Sequence, residues 1–340
     1  MSRRQFLKQT GWLSVYAAAP SPLITYSRKK KMKKFSPGDK IGLITPASFV
    51  EPDRIETAQQ QVMDLGFTPV LGKYLDQRYG YLAGSDTQRL EDLHDMYRNS
   101  KVKAIWCIRG GYGCTRLLPY VDYDLIKRNP KPLIGYSDIT ALHVAIHQEC
   151  GQITFHGPNA SPVMNDYSMD YFRHVFLEEK SSLPIKNTED YAASNYDEVV
   201  VIRPGSAQGR LVGGNLSLLA AMCGTPWQLR AKKKIVYLED IGEDTYRIDR
   251  MLTQLIQSGS LENARGLLLG QFKNCHPKNP EKSLSLNECL KDRLVPLGIP
   301  AVFGMSFGHI KHQFTLPFGA EARMEAEASA LTIDLGFWDR

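Results

Sequence analysis

None of the six cysteines (Cys107, Cys114, Cys150, Cys223, Cys275, Cys289) falls in a C-x-x-C pair, which argues against a zinc ribbon or a redox motif. Several stand in apolar runs, where a free cysteine is usually a small core residue. Disulfides stay open, since the number is even. H-E-x-x-H is also missing: His143 and His147 are spaced i, i+4, but no glutamate follows the first. The pair is more simply read as ordinary helix residues than as metal ligands. Arg109-Gly110-Gly111-Tyr112-Gly113 is not a G-x-G-x-x-G fingerprint, and no phosphate-binding lysine follows it. Acid is absent from the front of the chain. Up to Gly38 there are nine Lys or Arg and no Asp or Glu, so the remainder carries 33 basic against 36 acidic residues, a balance of −3. A basic tail on a mildly acidic body is not the footprint of a nucleic-acid binder, despite the overall charge of +6.

What the front does contain is Ser2-Arg3-Arg4-Gln5-Phe6-Leu7-Lys8, which resembles a twin-arginine export signal, a receptor-read address rather than an anchor. Trp12 to Tyr16 is weakly apolar and Ala17-Ala18-Ala19 suits a small-residue cleavage site. The apolar segment is far below the ~18 residues of a membrane span, so no integral span is expected. Arg28 to Lys34 reads as a solvated basic linker. The expectation is a periplasmic protein, with the cytoplasm as the alternative.

From Lys40 onward, apolar strands alternate with helices. Ile41 to Pro46, Thr68 to Leu71, Val102 to Ile108 and Pro132 to Tyr136 read as strands, and Glu56 to Leu65 and Asp86 to Asn99 as helices. Such alternation argues a parallel sheet with helices on both faces, whose sites form at the carboxyl ends of the strands. Asp166 to about Arg203 reads as a connection with a helix at Met169 to Leu177. Beyond Gly205 the pattern is mixed. Gly213-Gly214-Asn215-Leu216 looks like a turn capped into a helix, Lys234 to Leu238 a strand, Thr245 to Ser258 a helix, and Gly266 to Gln271 and Ala301 to Phe307 further strands. The stretches from Phe314 to Asp334 read as β-hairpins. These strands are expected to curl into a small barrel or sandwich. The chain divides into leader and linker (1–34), an N-terminal α/β domain (35–165), a connection (166–204) and a β-rich C-terminal domain (205–340).

Ile134-Gly135-Tyr136-Ser137-Asp138-Ile139-Thr140 is the centre of this arrangement. An apolar strand ends in Gly-Tyr-Ser-Asp and a helical run follows at once. A serine on a sharp strand-to-helix turn exposes its hydroxyl beside backbone N–H groups able to hold an oxyanion. The local pattern is not Gly-x-Ser-x-Gly, and on these seven residues alone a helix N-cap is the simpler reading. A nucleophilic serine needs a base, and the base an orienting group. Among eight histidines, His309, between glycine-relieved residues, is the leading base, with His312 as competitor. His156 either lines the pocket or satisfies a turn. Glu239, at the end of an apolar strand, is the leading orienting carboxylate; Asp240, Glu243 and Asp244 are expected to face water. Gly110-Gly111 reads as a structural turn or as bare backbone that approaches a substrate oxygen.

Taken together, Cys107 to Gly113, Gly135-Tyr136-Ser137-Asp138, Phe155-His156-Gly157-Pro158, Gly213-Gly214-Asn215-Leu216, Leu238-Glu239-Asp240 and Phe307-Gly308-His309 resemble the LD-carboxypeptidases, serine peptidases that include the microcin C self-immunity enzymes. The blocks run in order from about Lys40 to Asp334. The resemblance implies Ser137 as nucleophile, His309 as general base and Glu239 orienting it. It also implies an oxyanion hole from Asp138 and a glycine of Gly110-Gly111. The fold it implies is a flavodoxin-like parallel-sheet domain followed by a β-rich domain, with no metal or organic cofactor and a homodimeric assembly. The implied reaction releases terminal D-alanine from murein tetrapeptides by cleaving an L,D bond through an acyl-enzyme. Amide hydrolysis of the microcin C immunity type and non-catalytic wall-peptide binding are the alternatives. Typical members are cytoplasmic and lack an export signal, so the front of this chain departs from the pattern.

Overall fold

The computed structural model describes residues 32–185, 187 and 196–339. The leader expected at Ser2 to Ala19, and Arg28 to Lys31 of the linker, lie outside the described residues. Met32–Lys33 is already strand, paired parallel with Trp338–Asp339, and Lys34 Nζ donates to Val175 O at 3.0 Å. The end of the expected linker is therefore fastened to the body. Beside it Phe35 stacks on Phe176 at 4.9 Å, and Trp338 lies over Phe155 at 5.7 Å. Buried aromatics of this kind each contribute about 2–3 kcal/mol, enough to hold both ends of the described chain down.

The first sheet has six strands, in the order Leu316–Phe318, Thr154–His156, Leu133–Gly135, Val102–Cys107, Lys40–Ile44, Thr68–Leu71. Five of them are parallel. Lys40–Ile44 and Val102–Cys107 are buried almost throughout, as expected where helices cover both faces. Pro69 sits in the edge strand Thr68–Leu71, where a missing N–H is tolerated. Ser85 and Gln88 form a capping box on the helix Asp86–Arg98. Pro52 at its first turn lets the preceding helix, Pro52–Asp64, start earlier than the periodicity from Glu56 suggests.

Leu316–Phe318 is the departure. It was expected in a C-terminal hairpin, yet it runs antiparallel to Thr154–His156 and completes the first sheet. The hairpin expected further on is there, Glu321–Glu325 with Ala330–Asp334.

The C-terminal part is β-rich, as one open eight-stranded sheet rather than a barrel or sandwich. Its order is Ser182–Ile185, Ala330–Asp334, Glu321–Glu325, Ser206–Asn215, Lys234–Ile241, Gly266–Lys273, Ala301–Phe303, Val200–Arg203. The four strands from Ser206–Asn215 to Ala301–Phe303 are mutually parallel. Parallel strands need crossovers, here helices such as Thr245–Gln257 and Leu286–Leu294. Those helices occupy the space that a second sheet would take. Gly213-Gly214-Asn215 is not a turn but the end of a ten-residue strand; the capping expectation survives, since Asn215 accepts from Leu218 N–H at 3.2 Å. The segment 166–204 is more than a connection: it supplies the helix Asp166–Phe176 and both edge strands of this sheet. Among the described residues, no helix is long and apolar enough to cross a membrane.

Candidate active site

The strands Val102–Cys107 and Leu133–Gly135 lie side by side and in parallel, so the turns at their carboxyl ends meet. The first carries Gly110 and the second Ser137. A Cβ built on Gly110 would stand 2.8 Å from Ser137 Cβ and 3.0 Å from Ser137 Oγ. Only hydrogen fits there. Asp138 fastens the two turns together, its buried carboxylate accepting the Cys114 N–H at 2.8 Å. Gly111 is pressed on Ser48, whose Oγ accepts the Tyr112 N–H at 3.1 Å.

Ser137 has φ 66°, left-handed backbone that costs a residue with a side chain about 1–2 kcal/mol. The short 3₁₀ turn Ser137–Ile139 is capped by no side chain. Ser137 is thus not the N-cap that one reading of the sequence allowed; its Oγ points to His309 instead.

Glu239 stands near the carboxyl end of Lys234–Ile241, beside a bulge in the next strand, where Leu238 pairs with Leu269 and Asp240 with Phe272. Ile235 to Asp240 are all buried, as in a parallel strand covered on both faces, so Glu239 and Asp240 lie inside in succession. The expectation that Asp240 faces water is corrected. Its carboxylate accepts from Asn215 Nδ2 at 3.1 Å, Ser217 N at 2.9 Å and Ser217 Oγ at 2.7 Å. Burial and the neighbouring Glu239 raise it to about 6. Nor is Glu239 the last residue of its strand, which continues to Ile241.

His309 stands in the loop after Ala301–Phe303, a strand shorter than the run to Phe307 suggested. Gly308 (φ 109°) lets that loop lie against Glu239: a Cβ on it would come within 2.9 Å of Glu239 Oε2. His309 Nδ1 donates to Glu239 Oε2 at 2.7 Å, and Ser137 Oγ donates to His309 Nε2 at 3.1 Å. A carboxylate only accepts, so Nδ1 carries the proton and Nε2 presents its lone pair to the serine. Burial pulls His309 down, but the Glu239 carboxylate outweighs it and holds the imidazole above the usual 6.5. Burial likewise pushes Glu239 up, and His309 more than reverses this, leaving it below the ordinary glutamate value. Tyr136 meets the His309 ring edge-on at 4.9 Å. Such packing holds the imidazole in one orientation.

The other histidines are engaged elsewhere. His312 Nδ1 lies 3.1 Å from Tyr196 Oη. His143 Nε2 is 2.8 Å from Gly135 O and His147 Nδ1 3.0 Å from Gln152 O; the first braces the strand end that leads into Ser137. His156 is fully buried in Thr154–His156, edge-on to Tyr136 and Tyr237. Burial depresses it to about 4, so it stays neutral near Glu239. Two groups without an individual role in the sequence reading join the halves: Asn215 N–H donates to Thr140 Oγ1 at 3.0 Å, beneath the serine turn. The position of Thr140, three residues after the serine, was the one available signal.

The fit at Gly110 has a direct consequence. Gly110→Ala is expected to lower turnover at least 100-fold, since the methyl displaces Ser137 by several tenths of an ångström and such misplacement is costly. Circular dichroism and the thermal midpoint should move little by comparison; unchanged turnover would show that the turn does not control the serine.

Profiles of the LD-carboxypeptidase N-terminal domain and C-terminal domain match residues 41–157 and 208–324. The chain is 41% identical to a probable murein peptide carboxypeptidase of Bacillus subtilis, over 92% of this chain and 96% of that one. It is 33% identical to the murein tetrapeptide carboxypeptidase of Pseudomonas aeruginosa, over 88% of this chain and 97% of that one. Among solved structures, an MccF-like protein from Bacillus anthracis superposes with a TM-score of 0.77 at 30% identity, covering 89% of this chain and 98% of the other. Two consecutive domain matches, and relatives aligned along nearly their whole length, agree with the motifs and with the fold: this chain belongs to the LD-carboxypeptidase family.

Proposed function

We propose that the protein is a serine carboxypeptidase of murein peptides that releases terminal D-alanine from the tetrapeptide by cleaving its L,D bond. The observation that carries this reading is the unbroken hydrogen-bonded line from Ser137 Oγ through His309 to Glu239. In the acylation step the Oγ–carbonyl carbon bond forms while the hydroxyl proton passes to His309 Nε2. The C–N bond then breaks, and the same proton leaves with the amine of D-alanine. Water, deprotonated by His309, releases the shortened peptide from Ser137. Glu239 holds the tautomer and offsets the imidazolium charge. The Asp138 N–H and the Gly110-Gly111 backbone face the oxyanion in this scheme. The names of the Bacillus subtilis and Pseudomonas aeruginosa relatives support the substrate class.

The MccF-like neighbour favours a second reading, hydrolysis of an amide in a peptide–nucleotide antibiotic. The higher identity to murein peptide carboxypeptidases supports the first. A non-catalytic binding protein has no need of a serine held in left-handed backbone against a histidine. The same proposal includes export through the Arg3-Arg4 segment to the periplasm and a homodimer; both rest on the sequence and its family resemblance.

The test is incubation of the purified protein with disaccharide and free tetrapeptides, alongside a peptidyl-nucleotide amide, with products weighed by mass spectrometry. The expected result is loss of one alanine from the tetrapeptides only. Cleavage of the nucleotide amide alone would reverse the assignment.

A further inference from the structure

Two arginines meet at Phe49, in the loop between Lys40–Ile44 and Pro52–Asp64, and a third, Arg54, lies near the start of the helix that follows it. Arg109 Nη1 donates to Phe49 O at 3.2 Å. The Arg78 guanidinium lies over the Phe49 ring, 3.9 Å from its centroid. Arg54 stands in the first turn of the following helix, and its charge bears on both Arg109 and Tyr136. Arg89, Arg98 and Arg116 are each paired with an aspartate. Arg54, Arg78 and Arg109, in contrast, have no carboxylate partner among the described residues. On a body whose net charge is negative, this is an uncompensated positive cluster.

Its position is specific. Arg109 is the residue before Gly110, whose backbone lies against Ser137. Ser48 N–H donates to Gly110 O at 3.4 Å and Ser48 Oγ accepts from Tyr112, so the Phe49 loop is laced to the same turn. Arg109 is half-buried. Burial and the nearby Arg54 both disfavour its charge, a cost that an arriving anion would offset. The bond to Phe49 O occupies Nη1 and leaves the side-on fork of Nε–H and Nη2–H without a protein partner. That fork matches a carboxylate in bidentate geometry. The terminal carboxylate of a leaving amino acid lies about 3.5 Å, one residue, beyond the scissile carbonyl, within reach of a side chain rooted beside Gly110.

We propose that Arg109 forms the subsite that grips the free carboxylate of the residue to be released, with the positive charge of Arg54 in support. This rests on the carboxypeptidase reading above and gives it a cause. The enzyme trims ends because the fork requires a terminal carboxylate. Arg78 stiffens the Phe49 loop and adds to the field.

The test compares kcat/KM on a tetrapeptide with a free C-terminus and on the same peptide as its C-terminal amide. The wild type should prefer the free acid about 100-fold. Arg109→Gln should lose about 100-fold on the acid and less than three-fold on the amide, which erases the preference; Arg109→Lys should restore only part of it, and Arg54→Gln should cost about ten-fold. Equal losses on the two substrates, or an unchanged preference, would overturn the subsite. A second measurement does not depend on the wall peptide being the substrate. A neutral alkyl fluorophosphonate is used to label Ser137, in the presence of N-acetyl-D-alanine or its amide. Only the acid should slow labelling of the wild type, and it should fail to do so in Arg109→Gln. No protection by the acid in the wild type, or protection that survives the substitution, also sinks the proposal. Protection without tetrapeptide cleavage would leave the subsite standing and remove the murein reading.

Discussion

Replacing Ser137 with alanine leaves a folded protein whose turnover of murein peptides falls by about 10⁴- to 10⁶-fold. The size of the loss follows from what the hydroxyl does. In the proposed mechanism its oxygen takes over the acyl group, and among the described residues it is the nucleophile held at 3.1 Å from His309 Nε2. Residual turnover is then limited to what a bound water achieves with help from the backbone donors. Alanine accepts the same left-handed backbone at similar cost, so the thermal midpoint should stay within a degree or two of the parent. A serine-directed phosphonate reports the assignment independently, by mass: one adduct on the parent, none on Ser137→Ala. Turnover within ten-fold of the parent would move the nucleophile elsewhere.

Glu239→Gln is the second large effect, a loss of about 10³- to 10⁴-fold in kcat. The amide can turn its NH₂ toward His309 Nδ1, which forces the ring proton onto Nε2 and removes the lone pair that faces Ser137. The pH profile separates this from simple misfolding. In the parent the base works only when neutral, so kcat/KM should climb as pH rises through a value above 6.5, where Glu239 holds the imidazole. Without that carboxylate, burial, the largest influence on the ring, disfavours its charge and outweighs the weaker pull of Asp240. The acid limb of the residual activity should therefore move to lower pH, below 6.5. A limb that stays where it was would mean that Glu239 does not set the protonation of His309.

The parts legible in the sequence are those governed by local rules. Ser137 and His309 lie at glycine-relieved turns and Glu239 near the end of an apolar strand, and the strand–helix rhythm from Lys40 marked the parallel sheet. Asp240 departs from expectation because it reads as the start of a loop, whereas the strand runs on to Ile241 and is buried on both faces from Ile235 to Asp240. The antiparallel place of Leu316–Phe318 in the first sheet was invisible for another reason: three apolar residues specify a strand but not its partner. The open eight-stranded sheet was missed because its parallel order depends on crossovers, among them the helix Leu286–Leu294, that the pattern did not reveal. The arginine cluster could not be foreseen at all. Positions 49, 54, 78 and 109 share no periodicity, and only folding draws them to one turn.

The strand Leu316–Phe318 has a consequence for how the molecule comes into being. The sheet that bears the nucleophile is otherwise finished by His156, yet its last edge is made of residues that emerge only after the parallel strands of the second sheet, Ser206 to Phe303, have been synthesised. Growing chains and C-terminally clipped fragments thus keep an unsealed border on that sheet. A chain that stops between His309 and Leu316 would hold Ser137, Glu239 and His309 yet lack this edge strand, leaving the sheet beneath the serine unsealed.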